Sequence, residues 1–453
     1  MQPQNQSPST PADYADEHDS FSASRSNDFV YVPIRETLSI QLDHHADTVE
    51  ADVKPPLVIT GPEGSGKSAV LANWANDRRK NKHRDEFIFT HFVSGSRNAE
   101  LGNCLNRLVT QLHDFFHLRE MEIPESEEKC SWALSRFLAA ASKKHSPARI
   151  VIIIDGVNLL KGVQTPLGSL HWLPTSLPPC VRFIISCIDD GVSNIALKEI
   201  NRRNYPMISM EIISLNCRTK IIAGYFEKFG ISGVPEEATL QLAMNPASSQ
   251  PLYLRCILCM TRLMAHLGVG SIPVLLDTFQ ELSSAAEIVD KALTNIYQTI
   301  WRLHRKAKAE GAVSDKAAAM SNPADLLMKM FSMIYTSRDG LSRTEIWGLL
   351  ELVSHGHPVE EAHKEIFGFI LSELCMSVEG KCCFSHMLYS NVVYVKYIGS
   401  QAALTNWHLT MASFFGQLPV CARKLHCLPY HLEQAGSNSK VKNCLRISRC
   451  SDC

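Results

Sequence analysis

The stretch LVITGPEGSGKSAVL, residues 57–71, decides the fold. Leu57–Thr60 is short, apolar and partly β-branched, the composition of a buried strand. Gly61, Pro62, Glu63, Gly64, Ser65, Gly66, Lys67 and Ser68 follow at once as G-x-x-x-x-G-K-S, and from Ala69 the pattern reads as a helix. Strand, loop, then helix is the context that motif requires. Gly61, Gly64 and Gly66 let the backbone turn tightly and present its N–H groups to phosphate oxygens. The helix starting near Lys67 adds the positive end of its dipole. Lys67 can reach β- and γ-phosphates, and the Ser68 hydroxyl can ligate Mg²⁺. A glycine-rich turn matching by chance would not need both flanks. The expectation is an ATP or ADP site, with Mg²⁺, on Gly61–Ala69.

Outward from this loop the chain alternates strands and helices. Phe87–Val93, Arg149–Ile154, Val181–Ile185 and Met207–Ile213 read as further strands, with helical spacing over Leu101–Phe116 and Cys130–Lys144. That order predicts an α/β P-loop NTPase fold with a doubly wound parallel sheet. Ligands of such sheets bind at the carboxyl ends of the strands, where the phosphate loop and Asp155 both fall. Asp155 ends the aliphatic run Ile150–Ile154, and a carboxylate there holds Mg²⁺ together with the loop hydroxyl. Gly156-Val157-Asn158-Leu159-Leu160 supplies no carboxylate after it. Asn158 can position a water but cannot take its proton at neutral pH. Ser186 and Cys187 close the fourth strand and offer no cation for transition-state charge. The reading is binding with slow hydrolysis or none, at most a slow P-loop ATPase.

Residues 1–28, rich in Ser, Gln, Pro and Asp, read as a disordered tail, and 29–216 as the nucleotide-binding domain. A helical domain is expected over 217–301 and a flexible or partly helical connector over 302–324. Three helices and a hairpin over 325–400 describe a winged helix, followed by a helical segment over 401–436 and an unlike tail over 437–453. The basic run from Arg78 to Arg84 reads as a solvated helix end in preference to a nuclear signal.

At 453 residues the chain has room for two or three domains, and its net charge of −1 gives no general argument for nucleic acid or anionic membrane. No apolar run approaches the roughly 18 residues of a membrane span, and the polar start MQPQNQSPST lacks a signal-peptide core. Fifteen cysteines without a secretion signal read as free thiols of a cytoplasmic protein. Cys256 and Cys259 have half of a zinc spacing and no second half, so they read as core residues.

Together these segments resemble the NACHT-type members of the STAND class of signalling NTPases. The likeness is carried by PPLVITGPEGSGKSAVLANW, THFVSGS, IVIIIDGVNLL, HWLPTSLPPCVRFIIS, SQPLYLRCIL, TSRDGLSRTEIWGLL, CFSHMLYSNVV and RKLHCLPYHLEQAG, in that order. The resemblance implies that Pro251 lies by the adenine. It implies that His386, in an F-x-H motif after the wing, contacts the ADP β-phosphate. It implies a nucleotide-operated switch and scaffold that can oligomerise in its ATP state. It also implies protein partners at the primary cilium, signalling proteins such as inversin among them, and repeats after 436. The departures from that pattern are the missing myristoylation glycine and coiled coil, and Cys187 where an arginine is usual. Three rivals stand beside the switch: a turning-over AAA-like ATPase, a DNA-binding regulator and a phosphate-loop small-molecule kinase. The lack of a second carboxylate counts against the first. The single basic residue Arg343 in Ser342–Leu350 counts against the second, and the lack of an arginine-rich lid against the third.

Overall fold

The computed structural model describes residues 18–25, 36–48, 54–81, 86–95, 99–124, 126–144, 149–162, 170–189, 194–309, 322–378 and 380–437. They fall into two compact units. One takes in the described residues up to Gly233 together with Thr239–Leu254, and the other Val234–Ala238 and the described residues from Arg255 onward.

The first unit is built on a parallel sheet of five strands, β1 (Leu57–Gly61), β2 (Phe87–Phe92), β3 (Ile150–Asp155), β4 (Val181–Ile188) and β5 (Met207–Ser209). Their order across the sheet is β2-β3-β4-β1-β5, every pair parallel. Every residue of β3 is buried, and so are all but the last of β4. Near-continuous apolar runs have that meaning in a sheet covered on both faces. On one face Phe87, Phe89, Ile152, Ile154, Phe183 and Ile185 share a core with Leu105, Leu108 and Leu112 of α4 (Leu101–Phe115) and Leu134 and Leu138 of α5 (Glu127–Lys144). The alternate residues Val151, Ile153 and Ile184 are also fully buried. The loop helix α3 (Lys67–Asn81) packs on β1, β2 and β3 through Leu71 and Ala75 outside that core.

The back of the sheet, where β3 and β4 begin, is clamped to α2 (Glu36–Asp47). A helix leaves its last carbonyls without partners. Arg182, fully buried, donates to the carbonyls of His45 at 3.0 Å and Thr48 at 2.8 Å, and Arg149 to that of Asp47 at 2.8 Å. The His45 ring meets the Phe183 carbonyl at 3.2 Å, and burial pulls its pKa down to about 4.

Three expectations are corrected here. The tail read as disordered over 1–28 contains a helix, α1 (residues 18–25). Its few large groups suffice because they are placed: Phe21 is 5.1 Å from the Phe92 ring. The helical region expected from 217 does not separate at that point. The helix Leu215–Lys228 stays with the sheet's unit, because Arg218 donates to the carbonyls of Ile213, Ala243 and Asn245. Finally, Arg78 is no solvated helix end. It is buried against Asp43, Asp47 and Glu86 at 3.2, 2.6 and 2.6 Å. The remainder of 1–28, Lys82–Arg84 and 438–453 lie outside the described residues.

In the second unit a helix over Ala285–Ala309 takes up the first part of the expected connector, and 310–321 lie outside the described residues. Helices Pro323–Thr336, Arg343–Val353 and Glu361–Leu374 are followed by a hairpin of β7 (Cys375–Val378) and β8 (Lys381–Phe384). The short β6 (Leu341–Ser342) adds to β8 to give an antiparallel sheet in the order β6-β8-β7. Ser342 starts its helix in a capping box with Glu345, as the S-x-x-E pattern requires. Gly340 enters β6 at φ +76°, where a Cβ would stand 2.7 Å from the Cys382 carbonyl. Helices Gln401–Gln417 and Ala422–Gln434 follow. Among the described residues no helix is long and apolar enough to cross a membrane.

Candidate nucleotide site

The loop between β1 and α3 has the conformation its glycines permit. Gly64 and Gly66 sit at φ +76° and +91°. Lys67 opens α3 and folds back over the loop, its Nζ donating to the carbonyls of Gly61 at 2.7 Å and Pro62 at 2.9 Å. It is buried, and burial lowers its pKa while Asp155 and Asp189 act the other way. A buried ammonium held chiefly by carbonyl dipoles is short of negative charge, which an anion in the loop supplies.

The sheet order places β4 between the loop strand and β3, and that decides the second half of the site. Ser186 on β4 donates from Oγ to Asp155 Oδ1 at 2.6 Å and accepts from the Gly156 N–H at 2.8 Å. Asp155 is buried. Burial raises its pKa, while hydrogen bonds from Ser186 and Ser68 and the nearby charges of Lys67 and Arg25 pull it back. The Ser68 hydroxyl and the Asp155 carboxylate therefore meet, as a shared Mg²⁺ requires. A hydroxyl and a carboxylate oxygen suit that hard cation.

Asn158 is committed elsewhere. Its Oδ1 accepts from the Ile188 N–H at 3.2 Å and so secures the end of β4. Cys187 is a buried thiol beside the Asn194 amide, 3.3 Å away. Pro251 does come to the loop. It opens the helix Pro251–His266, its ring 3.6 Å from where a Gly66 Cβ would stand, and the Leu252 N–H donates to the Gly64 carbonyl at 3.2 Å. His386 lies in the second unit as the N-cap of the helix Met387–Val393, its Nδ1 accepting from the Leu388 N–H at 3.0 Å.

Residues 31–181 match the AAA ATPase domain family model. Over those residues the chain carries an AAA-type P-loop ATPase domain. Over 406 residues it is 23% identical to nephrocystin-3 of Mus musculus, covering 86% of this chain and 27% of that protein. Over 428 residues it is 22% identical to tetratricopeptide repeat protein 41 of Rattus norvegicus, covering 84% and 30%. The chain thus spans less than a third of the length of these relatives. Among solved structures, the Walker-type ATPase PABY2304 of Pyrococcus abyssi aligns over 79% of this chain and 95% of its own at 12% identity and a TM-score of 0.38, too loose a likeness to bear on function.

Two features of the site escaped the sequence reading. Arg25 acts on the charge of Asp155 from a segment whose composition reads as a tail. Leu252 covers the loop at Gly64, where a Cβ would stand 2.6 Å from its own. The spacing of Phe21 and Arg25, one helical turn apart, was the available signal for the first.

Proposed function

We propose that the chain is a nucleotide-operated switch and scaffold of the NACHT-type STAND class, binding ADP or ATP with Mg²⁺ at Gly61–Ala69 and hydrolysing slowly or not at all. The observation that supports slow turnover is the engagement of Asn158 with Ile188. In this arrangement Lys67 neutralises phosphate charge, and Ser68 and Asp155 hold the metal. Pro251 stands as the adenine neighbour and His386 as the β-phosphate contact, both carried by the resemblance. The helix, strand, helix, helix, hairpin order of 323–384 supports a winged helix that faces protein. The helix before its hairpin carries Glu361, Glu365 and Glu373 against a single lysine, Lys364, a poor balance for DNA phosphates. Oligomerisation in the ATP state, partners such as inversin, and a cytoplasmic or ciliary setting belong to the same resemblance.

The match to the AAA ATPase domain favours one rival, a turning-over ATPase. Extraction of the nucleotide from purified protein, with a turnover assay, separates the two. Tightly held ADP supports the switch. Rapid Mg²⁺-dependent ATP hydrolysis supports the rival.

A further inference from the structure

Helix α1 is tied to the carboxyl end of the sheet by contacts of four kinds. His18 Nδ1 accepts the Phe92 N–H at 3.0 Å, so an imidazole satisfies a donor at the end of the edge strand β2. Its ring lies 4.3 Å from that of His91, tilted by 42°, and the Phe21 ring packs at 5.1 Å on Phe92. Ser22 donates to the Asn76 side chain on α3 at 3.2 Å. The Arg25 carbonyl accepts from Asn73 Nδ2, also on α3, at 3.5 Å. Phe92 is the β-sheet partner of Asp155, and α3 begins at Lys67. The helix therefore lies in the crevice between the metal carboxylate's neighbour and the helix that carries the phosphate lysine.

Arg25 is the residue this docking delivers. Its guanidinium lies 4.4 Å over the Phe21 ring, which packs on Phe92, the sheet partner of Asp155, and Arg25 is only 8% exposed. A terminal phosphate held by Lys67, Ser68 and a metal on Asp155 brings one more unit of negative charge to this place than a diphosphate does. Arginine suits phosphate oxygens, which its planar fork meets with two donors.

We propose that Arg25, carried on α1, binds the terminal phosphate of a nucleoside triphosphate and so makes the site distinguish triphosphate from diphosphate. The proposal rests on the nucleotide reading of the P loop and adds to it a cation from outside the P-loop motif. It also makes the N-terminal helix a reporter of the third phosphate, because the same eight residues hold Arg25 and the contacts to the sheet edge.

The test uses the full chain, with Mg²⁺ and either ADP or the non-hydrolysable β,γ-imido analogue of ATP. Dissociation constants are measured for wild type, Arg25→Gln, Arg25→Lys, Phe21→Ala and Lys67→Ala. Arg25→Gln is expected to weaken the triphosphate analogue about ten- to a hundred-fold, the range for one hydrogen bond to a charged group. ADP should change less than about threefold, and Arg25→Lys should recover part of the loss. Phe21→Ala, which removes both the ring under the guanidinium and the contact of α1 with Phe92, should give the same selective loss. Equal losses for both nucleotides, or none, in Arg25→Gln while Lys67→Ala abolishes both would overturn the role of Arg25 and leave the P-loop reading standing. Selective loss in Arg25→Gln but not in Phe21→Ala would overturn the role of α1. If Lys67→Ala still binds both nucleotides normally, the P-loop reading itself falls.

Discussion

Lys67 and Asn158 show how much one side chain's partners decide. Lys67 is held by carbonyls and a hydroxyl, so its replacement by alanine should remove phosphate binding without breaking an ion pair. A ligand at about a hundred times its dissociation constant stabilises the folded state by roughly 2.7 kcal/mol. Lys67→Ala is therefore expected to lose the rise in melting temperature that ADP or ATP with Mg²⁺ produces in the wild type. A full shift in the mutant would remove the loop from the nucleotide site. Asn158 makes a different prediction. Its Oδ1 satisfies the Ile188 N–H, so Asn158→Ala should cost about 1–3 kcal/mol of stability by leaving that donor unpaired. Turnover should stay far below the ~1–100 s⁻¹ of kinases in both proteins. Chemical denaturation and a phosphate-release assay read the two outcomes. Fast hydrolysis in the wild type that needs Asp155 and survives Asn158→Ala would defeat the slow-turnover reading.

At the scale of elements, α2 gives the clearest pH dependence. Burial lowers the folded pKa of His45 to about 4 from an unfolded value near 6.5. Between those values the unfolded chain binds a proton that the folded one does not. Stability is therefore present in full above about pH 6.5 and is lost as the pH falls towards 4. The His45 share approaches ~3 kcal/mol at the acid end. His45→Gln should flatten the curve over that window by about one proton's worth of slope, measured by urea unfolding from about pH 4 to 7. An unchanged slope would show that the ring is already solvated.

Most elements in this unit are legible from sequence because strong local chemistry fixes them. The run Ile150–Ile154 has no alternative to a buried strand, and G-x-x-x-x-G-K-S has no alternative to its turn. Helix α1 was not legible, since Phe21 and His18 acquire meaning only when Phe92 and His91 are brought beside them. The same holds for Arg78, whose three carboxylates come from two other places in the chain. The partner of Asn158 was not legible for a related reason. Its neighbours in sequence suggested a water, while its neighbour in space is the end of β4.

For the whole molecule the proposed switch predicts coupling between the two units. Calorimetry of the full chain should show both unfolding transitions rise when ADP with Mg²⁺ is added. A rise confined to one transition would leave nucleotide binding intact and remove the switch. His386→Ala belongs at this scale as well. On the proposed reading it should weaken ADP by about tenfold or more and a triphosphate by less, since a bond to a charged group contributes about 1.5–3 kcal/mol. Equal dissociation-constant ratios would leave His386 with its helix cap as its whole role.

The clamp of Arg182, Arg149 and His45 on the end of α2 divides the first unit mechanically. At the back of the sheet, charged donors fill the carbonyls of a helix end and fasten it to the starts of β3 and β4. The front edge has lighter fastenings: an imidazole on one amide, a hydroxyl on one carboxylate, a proline against a glycine loop. On the proposed reading a bound nucleotide would act first on these front contacts, at α1 and at the helix that Pro251 opens, and not on the clamp.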